Sequence, residues 1–189
     1  MPSVDSELIE TYTLMREALL EKHDRAWAEH FYKRLRKEFH IDIIPEIDLP
    51  WPFRVVHPLG TVLGRATYAS HLVVYQNVGV GSNLKRERPV FNGPCVLFPG
   101  AKVLGRSVIG KNVYITANTV VNDATVPDNC IVFPRSVVIG SGTAAGSFAV
   151  TAIEQQPSWK PTKRSVVADF FPEPRRPTTE SLIALGVEM

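Results

Sequence analysis

Between Val90 and Ala124 the chain reads VFNGPCVLFPGAKVLGRSVIGKNVYITANTVVNDA, and bulky apolar residues return in it at one interval. Phe91, Leu97, Val103, Ile109, Ile115 and Val121 are each six apart. A helix repeats its buried face every 3.6 residues and a flat strand every two, so six fits neither. Six is the length of one side of a triangular coil, a short strand followed by a turn. Three sides make about 18 residues per turn, which stacks Phe91 on Ile109, Leu97 on Ile115 and Val103 on Val121. Chance spacing in an antiparallel sandwich would not set six large residues at a single interval. Each inward residue is followed by a corner: Asn92, Phe98, Leu104, Gly110, Thr116 and Asn122. Phe98 and Leu104 are too large for a tight turn and predict a protruding corner. Asn112, Asn118, Asn122 and Gly110 are types that accept positive φ there.

Upstream the count is broken once. Leu63 opens LGRATY, and Val74 and Val80 resume the register, but Leu63 to Val74 is 11 residues, so one side is a residue short. The polar, basic stretch GSNLKRERPVF from Gly81 to Phe91 fits no side and predicts a loop leaving the prism.

Around the coils lie two other compositions. Residues 5–39 hold neither Pro nor Gly, and Leu8, Tyr12, Met15, Leu19, Trp27, Phe31, Leu35 and Phe39 recur at three or four with one gap of eight. That is helical spacing, in one long helix or two shorter ones, with Asp5 and Ser6 as N-cap types. After His40, prolines at 45, 50, 52 and 58 exclude helix. Residues 157–177 carry five prolines together with Lys160, Lys163, Arg164, Arg175 and Arg176, the composition of a tail or an arm laid on a neighbour. TTESLIALG near the end fits one or two helical turns. The expected organisation is a helical segment over 1–40, a β-helix over 41–140 and a Pro-rich arm over 141–189.

Composition narrows the function classes. The 189 residues are 44% hydrophobic and 21% charged, with a formal net charge of +2. This is a soluble globular balance, and the charge is too small to point to nucleic acid or a membrane surface. No stretch of about 18 apolar residues is present, and no cationic start leads into an apolar run. Cys95 and Cys130 are 35 apart and make no CxxC pair, so two buried, reduced thiols are expected, and a cytoplasmic location with them.

Several segments resemble the hexapeptide-repeat acyltransferases, and within them the serine acetyltransferase group, over about residues 41–133. HPLGTVLGRA resembles that family's H-x-x-G-hydrophobic-hydrophobic-hydrophobic-G segment, YQNVGVG its L-Q-x-V-T-L-G strand, and VLFPGAKVLG its V-L-I-G-A-G-A-K-I-L-G. IDIIPEI resembles its I-D-I-H-P-x-A entry and VPDNCIV its V-P-x-x-x-x-V exit. The resemblance implies a left-handed parallel β-helix, a homotrimer or dimer of trimers, a small-molecule acceptor, and acetyl-CoA as co-substrate with no metal. It assigns His57 as general base and Asp42 as its orienting partner, at the family's 15-residue spacing. The chemistry suits those residue types. Acyl transfer to a hydroxyl needs a base that titrates near neutrality, and a carboxylate fixes its tautomer. Ser82, Gly100, Ala101 and Ala117 are small residues expected to let the pantetheine arm approach the backbone. A backbone N–H near Gly81 or Ser82 is the candidate oxyanion donor.

The chain also departs from that family. Where its members place an aspartate for the serine ammonium, this chain has Val56. Where their loop ends D-R-H-P, this one ends ERP, so Glu87 replaces the carboxylate-binding arginine and Arg88 the second histidine. A valine cannot hold an ammonium, and a glutamate repels a carboxylate. Val56, Glu87 and Arg88 therefore mark an altered acceptor site, and free L-serine is not the expected acceptor. Two other readings stay open at this level. One is a non-catalytic β-helix that scaffolds or binds a partner. The other is a metal enzyme of the γ-carbonic anhydrase type, which needs three histidines on facing coils, where only His57 and His71 fall in the coil region. His71 itself is expected at the surface, and His23, His30 and His40 as structural residues of the helical segment.

Overall fold

The computed structural model of the chain describes residues 4–134 and the strand 148–152. Two helices lead, α1 (Val4–Leu20) and α2 (Arg25–Glu38), so the helical segment is a pair and not one rod. His23 breaks it at φ 50°, and the Asp24 carboxylate caps α2 by accepting from the Trp27 N–H at 3.0 Å. Asp5 is not a cap. It lies in the first turn of α1, and its carboxylate accepts from the Val55 N–H at 3.0 Å and from Arg54 Nε at 3.3 Å, tying the helix to the first coil. The buried faces of the pair, with Leu8, Tyr12, Met15, Leu35 and Phe39, close the open end of the prism against Ile41, Phe53 and Leu63.

Short strands then wind in coils. β1 (Ile41–Asp42) enters. The first full coil is β2 (Phe53–Val55), β3 (Thr61–Leu63) and β4 (Thr67–Tyr68), and the second is β5 (Leu72–Val74), β6 (Gly79–Gly81) and β7 (Val90–Phe91). The third is β8 (Cys95–Leu97), β9 (Lys102–Leu104) and β10 (Val108–Ile109), the fourth is β11 (Val113–Ile115), β12 (Val120–Asn122) and β13 (Thr125–Val126), and β14 (Cys130–Pro134) follows. Neighbouring coils pair in parallel and build three faces. The first face is β2-β5-β8-β11-β14, the second β1-β3-β6-β9-β12 and the third β4-β7-β10-β13. This is a left-handed parallel β-helix of about 5 turns.

The stacking follows the count in sixes. Phe91 registers on Ile109, Leu97 on Ile115 and Val103 on Val121, and all six are at most 2% exposed. Each such side chain, once buried, contributes about 1.5–3 kcal/mol. The missing residue lies between Leu63 and Tyr68, and Val62 accordingly pairs with Gly79, seventeen residues on. The loop expected after Gly81 is present, because Gly79 pairs with Lys102, twenty-three residues on. Corner conformations are partly as anticipated. Asn112 and Asn118 take positive φ at 54° and 58°. Asn122 and Gly110 do not; Asp123 takes the left-handed position at 52° in place of its neighbour.

One face differs from the others on its outside. Val73, Val96, Tyr114 and Ile131 point outward from the first face yet are buried, and form a second apolar cluster with Val56, Tyr75, Phe98 and Phe133 at its rim. Phe98 is no bare corner residue, since its ring stacks on Tyr75 at 5.2 Å and 23°. Part of the expected arm is a strand. β15 (Phe148–Ala152) runs antiparallel to β14 and ends the sheet. The rest of that arm, with its prolines, its basic residues and the helical turn expected near the end, lies outside the described residues.

Candidate active site

His57 follows β2 at the corner where the chain turns from the first face to the second. In the later coils that corner takes three residues between the inward aliphatic and the next inward-facing position, as in Tyr75–Asn77 after Val74. In the first coil it takes five, Val56–Gly60. The two extra residues push His57 and Leu59 outward, and both are exposed. His57 adopts φ 53° and Gly60 φ 71°. The widened turn is pinned at its ends: Val56 N–H donates to Val74 O at 2.8 Å, Gly60 N–H to His40 O at 3.0 Å, and Asn77 N–H to Leu59 O at 2.9 Å. A rigid backbone thus presents a solvent-accessible imidazole.

Asp42 lies in β1 and pairs with Val62 on the second face, the face that begins where the His57 corner ends. Ile41 and Ile43 point inward, so Asp42 points outward above Val62. Its carboxylate is engaged from the helical side. The Tyr32 hydroxyl donates to Oδ1 at 3.1 Å, Arg36 Nε stands 3.9 Å from Oδ2, and the Arg36 guanidinium lies over the Tyr32 ring at 5.7 Å. Burial pushes the Tyr32 phenol up, and the negative charge of Asp42 adds to it. His57 and Asp42 occupy adjoining elements but do not form a hydrogen bond or an ion pair with each other. Tyr32, which the sequence pattern marks only as helical, is Asp42's actual partner.

The residues proposed for the donor divide between two corners. Gly100 and Ala117 belong to the same corner as His57, two and three coils further on, in the column Gly60–Asn77–Gly100–Asn118. Gly100 takes φ 76°, and the Asn118 amide oxygen fills the space where a Cβ would stand. Ala117 is exposed. Ala101 is 0% exposed inside the prism, so its methyl is core and unavailable to a ligand. Ser82 is exposed on the next corner, at the start of the loop 82–89.

That loop is internally ordered. The Asn83 side chain donates to Glu87 Oε2 at 2.7 Å and to Asp123 Oδ1 at 3.0 Å, and its own oxygen accepts from the N–H groups of Lys85 and Glu87. The Glu87 carboxylate is therefore a brace of the loop. Arg88 is exposed beside it, and Val56 is half-buried at the rim with Tyr75 and Phe98. A cleft of about 550 Å³ opens between the loop and the facing corner, lined by Lys85, Glu87, Leu104, Arg106 and Asp123 among others, with Leu84 fully exposed at its edge.

One further side chain escaped the sequence reading, and another lies deeper than expected. Lys102, in β9, folds back across Gly79, and its Nζ donates to the Asn77 carbonyl. A register of twenty-three between these strands, not eighteen, hides that contact from a six-residue count. His71, expected at the surface, is half-buried at φ 45°, and burial holds its imidazole below the usual range. Cys95 and Cys130 are buried free thiols. Among the described residues no group of three or more His, Cys, Asp or Glu is arranged to hold a metal ion, and no helix is long and apolar enough to cross a membrane.

The chain is similar in sequence to serine acetyltransferases. It is 34% identical to that of Synechococcus elongatus over 108 residues, covering 54% of this chain and 44% of the relative. It is 30% identical to that of Staphylococcus aureus strain Mu50 over 111 residues, covering 56% and 52%. The chain thus spans about half the length of the curated relatives it matches. Among solved structures, the serine acetyltransferase of Brucella abortus strain S19 matches with a TM-score of 0.60 at 21% identity, over 77% of this chain and 55% of that one. Isoform 3 from Entamoeba histolytica, solved with cysteine, matches with a TM-score of 0.57 at 25% identity, over 71% and 50%. No protein-family model matches the chain. The chain thus shares the fold of serine acetyltransferases and is similar to them in sequence over the coils.

Proposed function

We propose that the protein is a CoA-dependent O-acyltransferase that moves an acetyl group from acetyl-CoA to a hydroxyl of a small molecule other than free L-serine. The observation that carries this reading is the widened corner. It departs from the three-residue turn that this corner takes in the later coils, and what it exposes is an imidazole, on the edge that also bears Gly100 and Ala117. Curated relatives of about 30% identity are serine acetyltransferases, and a structure of the same fold was solved with coenzyme A.

In this reading a ring nitrogen of His57 takes the acceptor's hydroxyl proton as the oxygen attacks the thioester carbonyl. The tetrahedral oxyanion is met by a backbone N–H near Gly81 or Ser82. Its collapse breaks the carbon–sulfur bond, and the imidazolium returns the proton to the departing CoA thiolate. Asp42 orients the ring once the imidazole turns toward β1. Gly100, Ala117 and Ser82 face the donor, while Val56 and Arg88 border the acceptor. Glu87 takes part as the brace of the loop. The chain assembles as a homotrimer, so that a neighbouring copy closes the donor groove.

The acceptor departs from L-serine because Val56 offers no partner for an ammonium. Release of CoA thiol, followed with a chromogenic disulfide over a panel of hydroxyl acceptors, tests the activity. His57→Ala should lower turnover by about 10²–10⁴-fold. Undiminished turnover in that variant removes His57 from the mechanism. A protein that takes up neither acetyl-CoA nor CoA in calorimetry is a scaffold.

A further inference from the structure

The outer surface of the second face contains a built position for a cation. Gly79 in β6 has no side chain, and the Lys102 stem lies in the space left free. A Cβ at residue 79 would come within 2.7 Å of Lys102 Cδ and 3.3 Å of Cε. The motif that YQNVGVG resembles has threonine at this place, so glycine is a property of this chain. Guided by that slot, Lys102 runs back one coil and its ammonium donates to the Asn77 carbonyl. Asn77 sits directly beneath the turn that carries His57, since its N–H donates to Leu59 O at 2.9 Å and its side chain meets Gly60. Coils are spaced at about 4.8 Å, so the ammonium stands roughly one coil from the His57 turn. An ammonium has three donors, and one is used. Val62, 47% exposed, is the neighbouring outward side chain on the approach to His57.

We propose that Lys102 is the anion anchor of the acceptor site, and that the acceptor is a hydroxy compound bearing a carboxylate but no free ammonium, such as a hydroxy acid or an N-acylated hydroxy amino acid. The inference rests on His57 as the reacting centre and specifies what that centre acylates. Val56 removes the ammonium contact, Glu87 is tied to Asn83, and Lys102 supplies a charge for a carboxylate about one coil from the turn that carries the base. The phosphates of CoA are a poor match for it. The whole pantetheine arm separates them from the thioester, which must itself lie at His57.

The test is calorimetry on CoA-saturated protein with a matched pair of probes, N-acetyl-L-serine and N-acetyl-L-serinamide, which differ in the carboxylate alone. The carboxylate should bind at least ~10-fold more tightly to the wild type, a usual worth for a charge-assisted contact. Lys102→Met and Gly79→Ala, which removes or displaces the ammonium, should bring carboxylate binding down to that of the amide and leave the amide unchanged. Circular dichroism checks that each variant folds, and either one alone suffices. Equal binding of the two probes by the wild type, including no binding of either, overturns the proposal. So does a preference that survives Lys102→Met or that disappears only in Arg88→Ala. Titration with CoA and with pantetheine separates the other anion source: if Lys102→Met weakens CoA but not pantetheine, the ammonium serves the phosphates and the proposal fails. His57→Ala should keep the carboxylate preference while losing turnover. Retained turnover in it would reject the catalytic reading and leave the anion site standing.

Discussion

The Tyr32 hydroxyl donates to Asp42 Oδ1 across 3.1 Å, so helix α2 reaches over the end of the coil and holds the carboxylate that heads the second face. The relationship is measurable without any substrate. Burial is the largest cause of the raised Tyr32 pKa, followed by the charge of Asp42 and the hydrogen bond to it. Asp42→Ala removes the last two and should let Tyr32 ionise at lower pH. Phenolate absorbance in the ultraviolet, assigned by subtracting Tyr32→Phe, reads it. An unmoved titration would mean that the two side chains do not meet in solution.

Tyr12 gives a stability prediction with a definite sign. It is buried between α1 and the entry segment. Its hydroxyl donates to Ile47 O at 2.9 Å and accepts from Leu49 N–H at 2.8 Å, while its ring meets Phe53 edge-on at 5.1 Å. Burial pushes its pKa from 10.0 up to about 12. A folded-state pKa above the unfolded value means that the native chain holds the proton more tightly. The linked stability is therefore complete below pH ~10 and is lost as pH rises toward ~12. Two pKa units correspond to at most about 3 kcal/mol. Urea unfolding between pH 8 and 12 should show the decline, and Tyr12→Phe should flatten part of it. At pH 7 the same variant should cost about 1–3 kcal/mol, because it leaves a buried N–H and C=O without their partner.

The corner column makes a second stability test. Gly100 at φ 76° faces the Asn118 amide oxygen one coil on, in the place a Cβ would take. Gly100→Ala therefore meets both a backbone penalty and a collision, and should destabilise by roughly 1–3 kcal/mol. Adding Asn118→Gly removes the collision and leaves the penalty, so the double variant should recover part of the loss. Thermal unfolding of the four-member cycle measures the coupling, and strict additivity would show that the two residues do not touch.

These contacts also show which features could be read from residues alone. The prism was legible because each of its stacks repeats one requirement, an inward aliphatic every sixth position, from Phe91 to Val121. The short side after Leu63 and the loop after Gly81 were legible for the same reason, as departures from a strict count. The corner conformations were less so. Asp123 and not Asn122 takes positive φ, as Gly105 does at the same place one coil earlier, because this corner turns at the second residue after the inward one. Around the candidate site the limits were geometric. The spacing of Asp42 and His57 is a one-dimensional fact, whereas the carboxylate's partner, Tyr32, comes from a helix with no periodic relation to the coils. Ala101 resembles Ala117 as a small residue, but register turns one inward and the other to solvent. Lys102 and Gly79 meet only because an inserted loop resets the count between their coils.

Val56 provides the sharpest test of acceptor choice. Its N–H is fixed on Val74 O at 2.8 Å, so a replacement keeps the backbone position next to His57. Val56→Asp would set a carboxylate at the rim, beside the Tyr75–Phe98 stack. A half-buried carboxylate at the rim of an apolar cluster is partly desolvated, and the variant should lose about 1–3 kcal/mol of stability. A ligand ammonium would recover that loss on binding, and L-serine carries one where N-acetyl-L-serine does not. The ratio of kcat/KM for L-serine to that for N-acetyl-L-serine should therefore rise by roughly 10–100-fold in Val56→Asp, measured by CoA release. An unchanged ratio in a folded variant would place the acceptor's nitrogen elsewhere, and Val56 would then be only a wall of the apolar cluster.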